Sequence, residues 1–109
     1  MAYKLITRFT RPATDVVWPK DNPWQTPEQI AAKDAYFDET FIATGIITDR
    51  SYTESDDGLT LDVNTIFRDL EARDAFNTDF AWWTVHQQGR AEYMAEYGIT
   101  KELIDVGEV

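Results

Sequence analysis

Tyr3 to Arg11 alternates, with Tyr3, Leu5, Thr7 and Phe9 on one side and Lys4, Ile6, Arg8 and Thr10 on the other. Successive side chains of a strand point to opposite faces, so this stretch predicts a strand with one apolar face. Pro12 ends it, because proline has no N–H for a neighbouring strand. A helical period begins at Thr26. Thr26-Pro27-Glu28-Gln29 sets out an N-cap, a proline at the first helical position and a capping-box glutamine in order. Ile30, Phe37 and Phe41 then recur at helical spacing, which predicts a helix to Thr44 with Gly45 as its stop. Alternation returns in Ile46 to Glu54 and in Leu59 to Phe67, on either side of Ser55-Asp56-Asp57-Gly58. Asp-Gly tolerates the positive φ of a tight turn, so the two runs predict a hairpin. Ile46, Thr48, Arg50 and Tyr52 then share a face with Leu61, Val63, Thr65 and Phe67. The opposite face, with Ile47, Asp49, Asp62, Asn64 and Ile66, is mixed.

The longest helical pattern runs from Asp69 to Gly98 and holds the single histidine, His86, with Trp82 and Trp83. Asp69 is a good N-cap, Glu71 sits near the positive end of the helix dipole, and Gly98 closes the segment. Asn77-Thr78-Asp79 offers the backbone alternative hydrogen bonds, which predicts a hinge between two helical pieces. Lys101 to Val109, with Leu103, Ile104 and Val106, reads as a last strand. The order strand, helix, strand, strand, helix, strand is the α+β, ferredoxin-like βαββαβ arrangement. It implies a four-stranded antiparallel sheet with helices on one face and the first and third strands in the middle. A less regular α+β domain, its C-terminal helix crossing the sheet, is the alternative.

Residues 12–26 carry three prolines, Trp18 and Trp24 and no period. A loop this long in a compact domain is functional or disordered, and two tryptophans argue against disorder. It reads as a loop packed over an edge of the domain, either a lid or a structural insertion anchored by its rings.

At 109 residues the chain supports one domain, 1–109, with a core that needs no disulfide. Six Phe, five Tyr and four Trp are more rings than such a core requires, which points to a pocket, groove or interface. A net charge of −10 with no basic run argues against nucleic acid or anionic membranes as partners. The lack of cysteine removes disulfides, thiolate nucleophiles and cysteine-ligated metals. No apolar run has the length of a membrane span and the N-terminus is a poor signal peptide, so a cytoplasmic location is expected.

The run Phe67-Arg68-Asp69-Leu70-Glu71-Ala72-Arg73-Asp74-Ala75-Phe76 resembles the strand-to-helix junction of the dimeric α+β barrel superfamily. That superfamily includes the antibiotic-biosynthesis-monooxygenase-like and stress-responsive barrel families, and the element order matches along essentially the whole chain. The resemblance implies a homodimer of ferredoxin-like chains packed sheet against sheet, with a small apolar pocket between helices and sheet in each. The mixed second face is what such an interface requires. Some relatives degrade haem with an Asn, a Trp and a helical His; this chain departs from that pattern, with Thr7 and Arg8 where the first-strand Asn would stand. Other relatives oxygenate phenolic substrates without a cofactor, using pocket Asn, Trp and Tyr residues, and Asn64, Trp82, Tyr52 and Tyr93 are of the right types.

His86 is the natural acid–base candidate, because its ordinary pKa lies near neutrality. Asn64 is the second catalytic candidate. Leu5, Phe37, Phe41, Tyr52, Val63, Phe80, Trp82, Trp83 and Tyr93 are candidate pocket walls. Arg50, with Arg8, Arg11 and Arg90, is a candidate partner for a carboxylate, to which the guanidinium fork is matched. Ser55-Asp56-Asp57-Gly58 lacks the ligand spacing of a calcium loop and reads as a turn, so no metal is expected. The resulting reading is a cofactor-free protein with an aromatic-lined pocket for an apolar or aromatic organic ligand, binding it alone or acting as a monooxygenase-like enzyme. The alternative is a structural or interaction protein whose rings serve the core and a dimer interface.

Overall fold

A computed structural model of the chain describes residues 1–78 and 87–109 in full and, of residues 80–86, only the helical backbone. Strands β1 (Tyr3–Thr10), β2 (Ile47–Glu54), β3 (Thr60–Phe67) and β4 (Thr100–Glu108) form one sheet in the order β2-β3-β1-β4. Every neighbouring pair is antiparallel, and β1 and β3 are central. Helices α1 (Pro27–Phe37), α2 (Leu70–Asn77) and α3 (Phe80–Tyr97) complete the ferredoxin-like α+β arrangement. No described helix is long and apolar enough to cross a membrane.

The local signals act where the residues place them. Thr26 accepts from the Gln29 N–H at 3.2 Å while the Gln29 side chain accepts from the Thr26 N–H at 2.9 Å, closing the capping box. Asp69 Oδ1 accepts from the Ala72 N–H at 2.8 Å and starts α2. α2 stops at Asn77, Thr78 is a turn, and α3 begins at Phe80. At the hairpin, Gly58 has φ +72° and its N–H reaches Ser55 O at 2.9 Å. Asp57 accepts from the Ser55 hydroxyl at 2.6 Å and the Leu59 N–H at 3.0 Å, so its carboxylate is consumed in building the turn.

Two details differ from the periodic reading. α1 ends at Phe37 and passes into a π-helical turn over Asp38–Ile42, in which the Ala43 N–H bonds Asp38 O at 2.8 Å. The wider turn seats Phe41, 1% exposed, in the core and leaves Ile42 at the surface. In β2 a register shift falls between Ile47 and Asp49. Such a bulge inserts one residue into the ladder and flips what precedes it. Ile47 therefore pairs with Phe67 on the helix-side face and is buried, instead of sharing the outer face with Asp49 and Asn64 as simple alternation requires.

Among the described residues the core falls into two clusters on the helix-side face. One is built on Phe9, Trp18, Leu61, Val63, Tyr93 and Ile99, with Trp24 packed against it. The other is built on Phe41, Ile47, Phe67, Ala72 and Phe76, with Phe37 and Leu5 packed against it. Phe41 and Phe76 meet in an edge arrangement with centroids 4.7 Å apart, a geometry that aromatic quadrupoles favour.

The 12–26 connection is tied to the first cluster. Trp18 is 5% exposed, and its indole N–H donates to Glu54 Oε1 at 2.8 Å. Arg11 donates to Gly58 O and Val16 O, each at 2.7 Å, and lies over the Trp18 ring. Tyr93 on α3 donates its hydroxyl proton to Val17 O at 2.6 Å. The connection is thus an insertion anchored by its rings, held by part-buried hydrogen bonds as well as apolar contact.

Candidate functional site

Between the two clusters lies a cavity of about 670 Å³. Its floor follows from strand register. One row of the sheet runs Tyr52, Val63, Thr7, Leu103 across β2, β3, β1 and β4, and all four line the cavity. The flanking rows add Arg50, Thr65 and Leu5 on one side and Leu61, Phe9 and Lys101 on the other. Phe37, Phe67 and Phe76 close the wall toward the second cluster. A floor of aliphatic and aromatic groups with the Thr7 and Thr65 hydroxyls among them suits an apolar molecule bearing few polar atoms.

The rim is different. Among the described residues, five of the chain's ten basic side chains line this cavity, Lys20, Lys33, Arg50, Arg90 and Lys101, against three acids, Asp34, Asp38 and Glu102. Lys20 pairs with Asp21 at 3.1 Å and Lys33 with Asp34 at 2.7 Å. Elsewhere Lys4, Arg8, Arg11, Arg68 and Arg73 each have a carboxylate partner. Among the described residues only Arg50, Arg90 and Lys101 have none. They reach the one cavity from β2, α3 and β4.

Neutral groups hold these cations in place. Arg90 donates to the Gln87 side-chain oxygen one helical turn away, and its guanidinium lies 5.9 Å from the Phe9 ring centroid. Arg50 lies 4.8 Å from the Phe37 centroid and 5.9 Å from that of Tyr52. Ring faces attract a guanidinium without neutralising it. Burial first, and the neighbouring Arg50 second, push Arg90 down to about 10. Lys101 is lowered in the same way, by burial of its ammonium and then by Arg90. In both cases desolvation is the larger cause and the neighbouring cation the smaller.

The structure brings together only some of the residues nominated from sequence. Leu5, Phe37, Arg50, Tyr52 and Val63 line the cavity, as does Arg90. Phe41 lies in the second core cluster and Tyr93 in the first, where burial raises its hydroxyl pKa. Asn64 is on the outer face of the sheet, where its amide donates to Thr53 Oγ1 at 3.4 Å. Arg8 is taken up by a two-pronged contact with Asp62, at 2.8 and 3.0 Å, and Arg11 by the 12–26 connection. Phe80, Trp82, Trp83 and His86 lie outside the described residues. Sequence reasoning missed Lys101, Thr7 and Phe76. The alternation that places Leu103 on the helix-side face places Lys101 there too, two residues away.

No protein-family model matches the chain, and no curated protein is similar to it. Among solved structures it is similar to Rv0793 from Mycobacterium tuberculosis, at 18% identity over 96% of this chain and 94% of that one, with a TM-score of 0.43. It is also similar to a formyltetrahydrofolate deformylase from Pseudomonas putida KT2440, at 14% identity, 94% of this chain and a TM-score of 0.35. The chain spans 28% of the deformylase. Likenesses this distant carry no argument about activity.

Proposed function

We propose that this chain binds a small apolar or aromatic organic molecule, without a cofactor, in the cavity between its two core clusters. The observation that carries the reading is the division of the core by a space of about 670 Å³, floored by Val63, Leu61, Phe9 and Phe67. The cleft opens to solvent at a charged rim, and its apolar floor offers a ligand contacts that water does not make. Its volume is that of an ordinary ligand pocket. The test is a titration of isotope-labelled protein with 2-naphthamide, followed by backbone amide shifts. Saturable shifts centred on Thr7, Val63 and Thr65 are expected. Saturable shifts confined to the outer face, at Ile6, Asn64 and Ile66, would overturn the reading, as would none at all.

A second reading, self-association through the outer face of the sheet, draws on the pairing of charges there. Lys4 meets Asp105 at 2.6 Å and Arg8 meets Asp62 at 2.8 Å, flanking the half-buried Ile6 and Ile66. Pairing lowers the cost of covering that face with a second copy of the chain. Native mass spectrometry separates the outcomes: a dimer supports this reading, and a monomer at micromolar concentration defeats it.

A further inference from the structure

The charge pattern of the cavity deepens that reading and rests on it. The chain as a whole is strongly acidic, at −10, so a basic residue here has carboxylates on every side to pair with. Seven basic side chains take one. Arg50, Arg90 and Lys101 are the ones that have none among the described residues, and all three line one cavity. Unpaired surface charges scattered at random would not collect at a single place.

The three do not arrive there by a shared local cause. Arg50 projects from β2, at one edge of the sheet, and Lys101 from β4, at the other. Arg90 comes from α3 above them, within cation–π reach of Phe9, the strand partner of Lys101. Like charges gathered around one space repel one another unless an anion joins them. The acids on the same rim do not meet that need: Asp34 is held by Lys33, while Asp38 and Glu102 form no ion pair with the three cations.

We propose that the ligand of this cavity is an organic acid: an apolar or aromatic body on the sheet floor, and a carboxylate bound by the Arg90 and Arg50 guanidiniums, with Lys101 at the opposite corner of the floor adding to the positive charge of the cavity. Two planar forks match a carboxylate. Bound in this way, the anion offsets the mutual repulsion of the two guanidiniums. The acidic exterior disfavours indiscriminate anion binding, so an acid that binds must find this site.

The experiment compares 2-naphthoate with 2-naphthamide, which has the same ring system and no charge, by calorimetric titration of the full chain. Naphthoate is expected to bind about tenfold more tightly or better, the scale of one charge-assisted contact. Arg90→Gln and Arg50→Gln should each erase most of that preference, with the backbone amide spectrum of each variant showing that it is folded. Arg68→Gln, at a paired cation remote from the cavity, should leave the preference intact. Equal binding of acid and amide would overturn the anion inference and keep the cavity reading. Binding of neither would overturn the cavity reading itself. A preference for the acid that survives both cavity variants would overturn the assignment of these residues. Inorganic phosphate and naphthyl phosphate form a further pair of arms, and tighter binding of naphthyl phosphate than of naphthoate would overturn the carboxylate in favour of a phosphate ester.

Discussion

The indole of Trp24 lies so close to the Cα of Gly89 that a Cβ at position 89 would stand 2.5 Å from Trp24 Nε1. Glycine inside a helix ordinarily weakens it, by about 1 kcal/mol relative to alanine. Here it lets the 12–26 connection lie flush on α3, with Trp24 and Tyr93 ring centroids 5.3 Å apart. Gly89→Ala therefore sets a gain in helix propensity against a steric clash. The clash should win, with a net loss of about 1–2 kcal/mol in urea denaturation. In the Trp24→Ala background the same substitution should instead stabilise, and a double-mutant cycle reads the reversal of sign.

Glu54 ties the connection to β2 through a single oxygen that accepts from Trp18 Nε1 at 2.8 Å and Arg11 Nη2 at 3.1 Å. Glu54→Ala leaves the buried indole N–H without that partner, and a loss of about 1–3 kcal/mol is expected. Glu54→Gln keeps an acceptor and should retain most of the stability. Fluorescence-monitored unfolding distinguishes the two.

Thr26→Ala removes the hydroxyl half of the capping box, leaving the Gln29 side chain on the Thr26 N–H, and should cost about 1 kcal/mol, with Thr26→Asp near neutral. Denaturation midpoints at constant slope provide the check.

Phe67 is fully buried where β3 meets α2, with its ring 5.5 Å from that of Phe76. Phe67→Ala should remove about 3–5 kcal/mol, a large part of what a domain this size possesses. Phe67→Leu should remove clearly less. Thermal unfolding of the three proteins at one concentration tests the order.

Among the described residues, four carboxylates are held below the usual aspartate range by partners in the fold. The Arg8 fork does so for Asp62, the Lys4 ammonium for Asp105, the Ser55 hydroxyl and then the Leu59 N–H for Asp57, and the Ala72 N–H for Asp69. Each is depressed on folding, so its contribution is complete above the unfolded value near about pH 4 and is lost as pH falls through the folded one. Urea midpoints should be level from pH 7 to about pH 5 and decline below about pH 4. Asp62→Asn should flatten part of that decline.

Much of this protein was legible in its residues because the causes are local. An N-cap, a capping box and an Asp-Gly turn depend on atoms a few positions apart, so Asp69, Thr26 and Gly58 declared themselves before any tertiary contact was known. Strand alternation is equally local. It already put Leu5, Tyr52 and Val63 on the helix-side face and Asn64 on the other, which separates Asn64 from the cavity that three of its fellow candidates share. The chain's order of elements was enough for the sheet order, because right-handed crossovers leave β1 and β3 no place but the middle. What only the tertiary structure decided are the departures from period and the meetings at a distance. The bulge that turns Ile47 inward exists because Phe67 and Phe41 offer it a buried seat, and the π-helical turn after Phe37 sets Phe41 into that same cluster. No spacing in the sequence distinguishes Arg50, Arg90 and Lys101 from the seven paired cations. Their difference lies in what stands near them, and that is set by β2, α3 and β4 closing on one space from three directions.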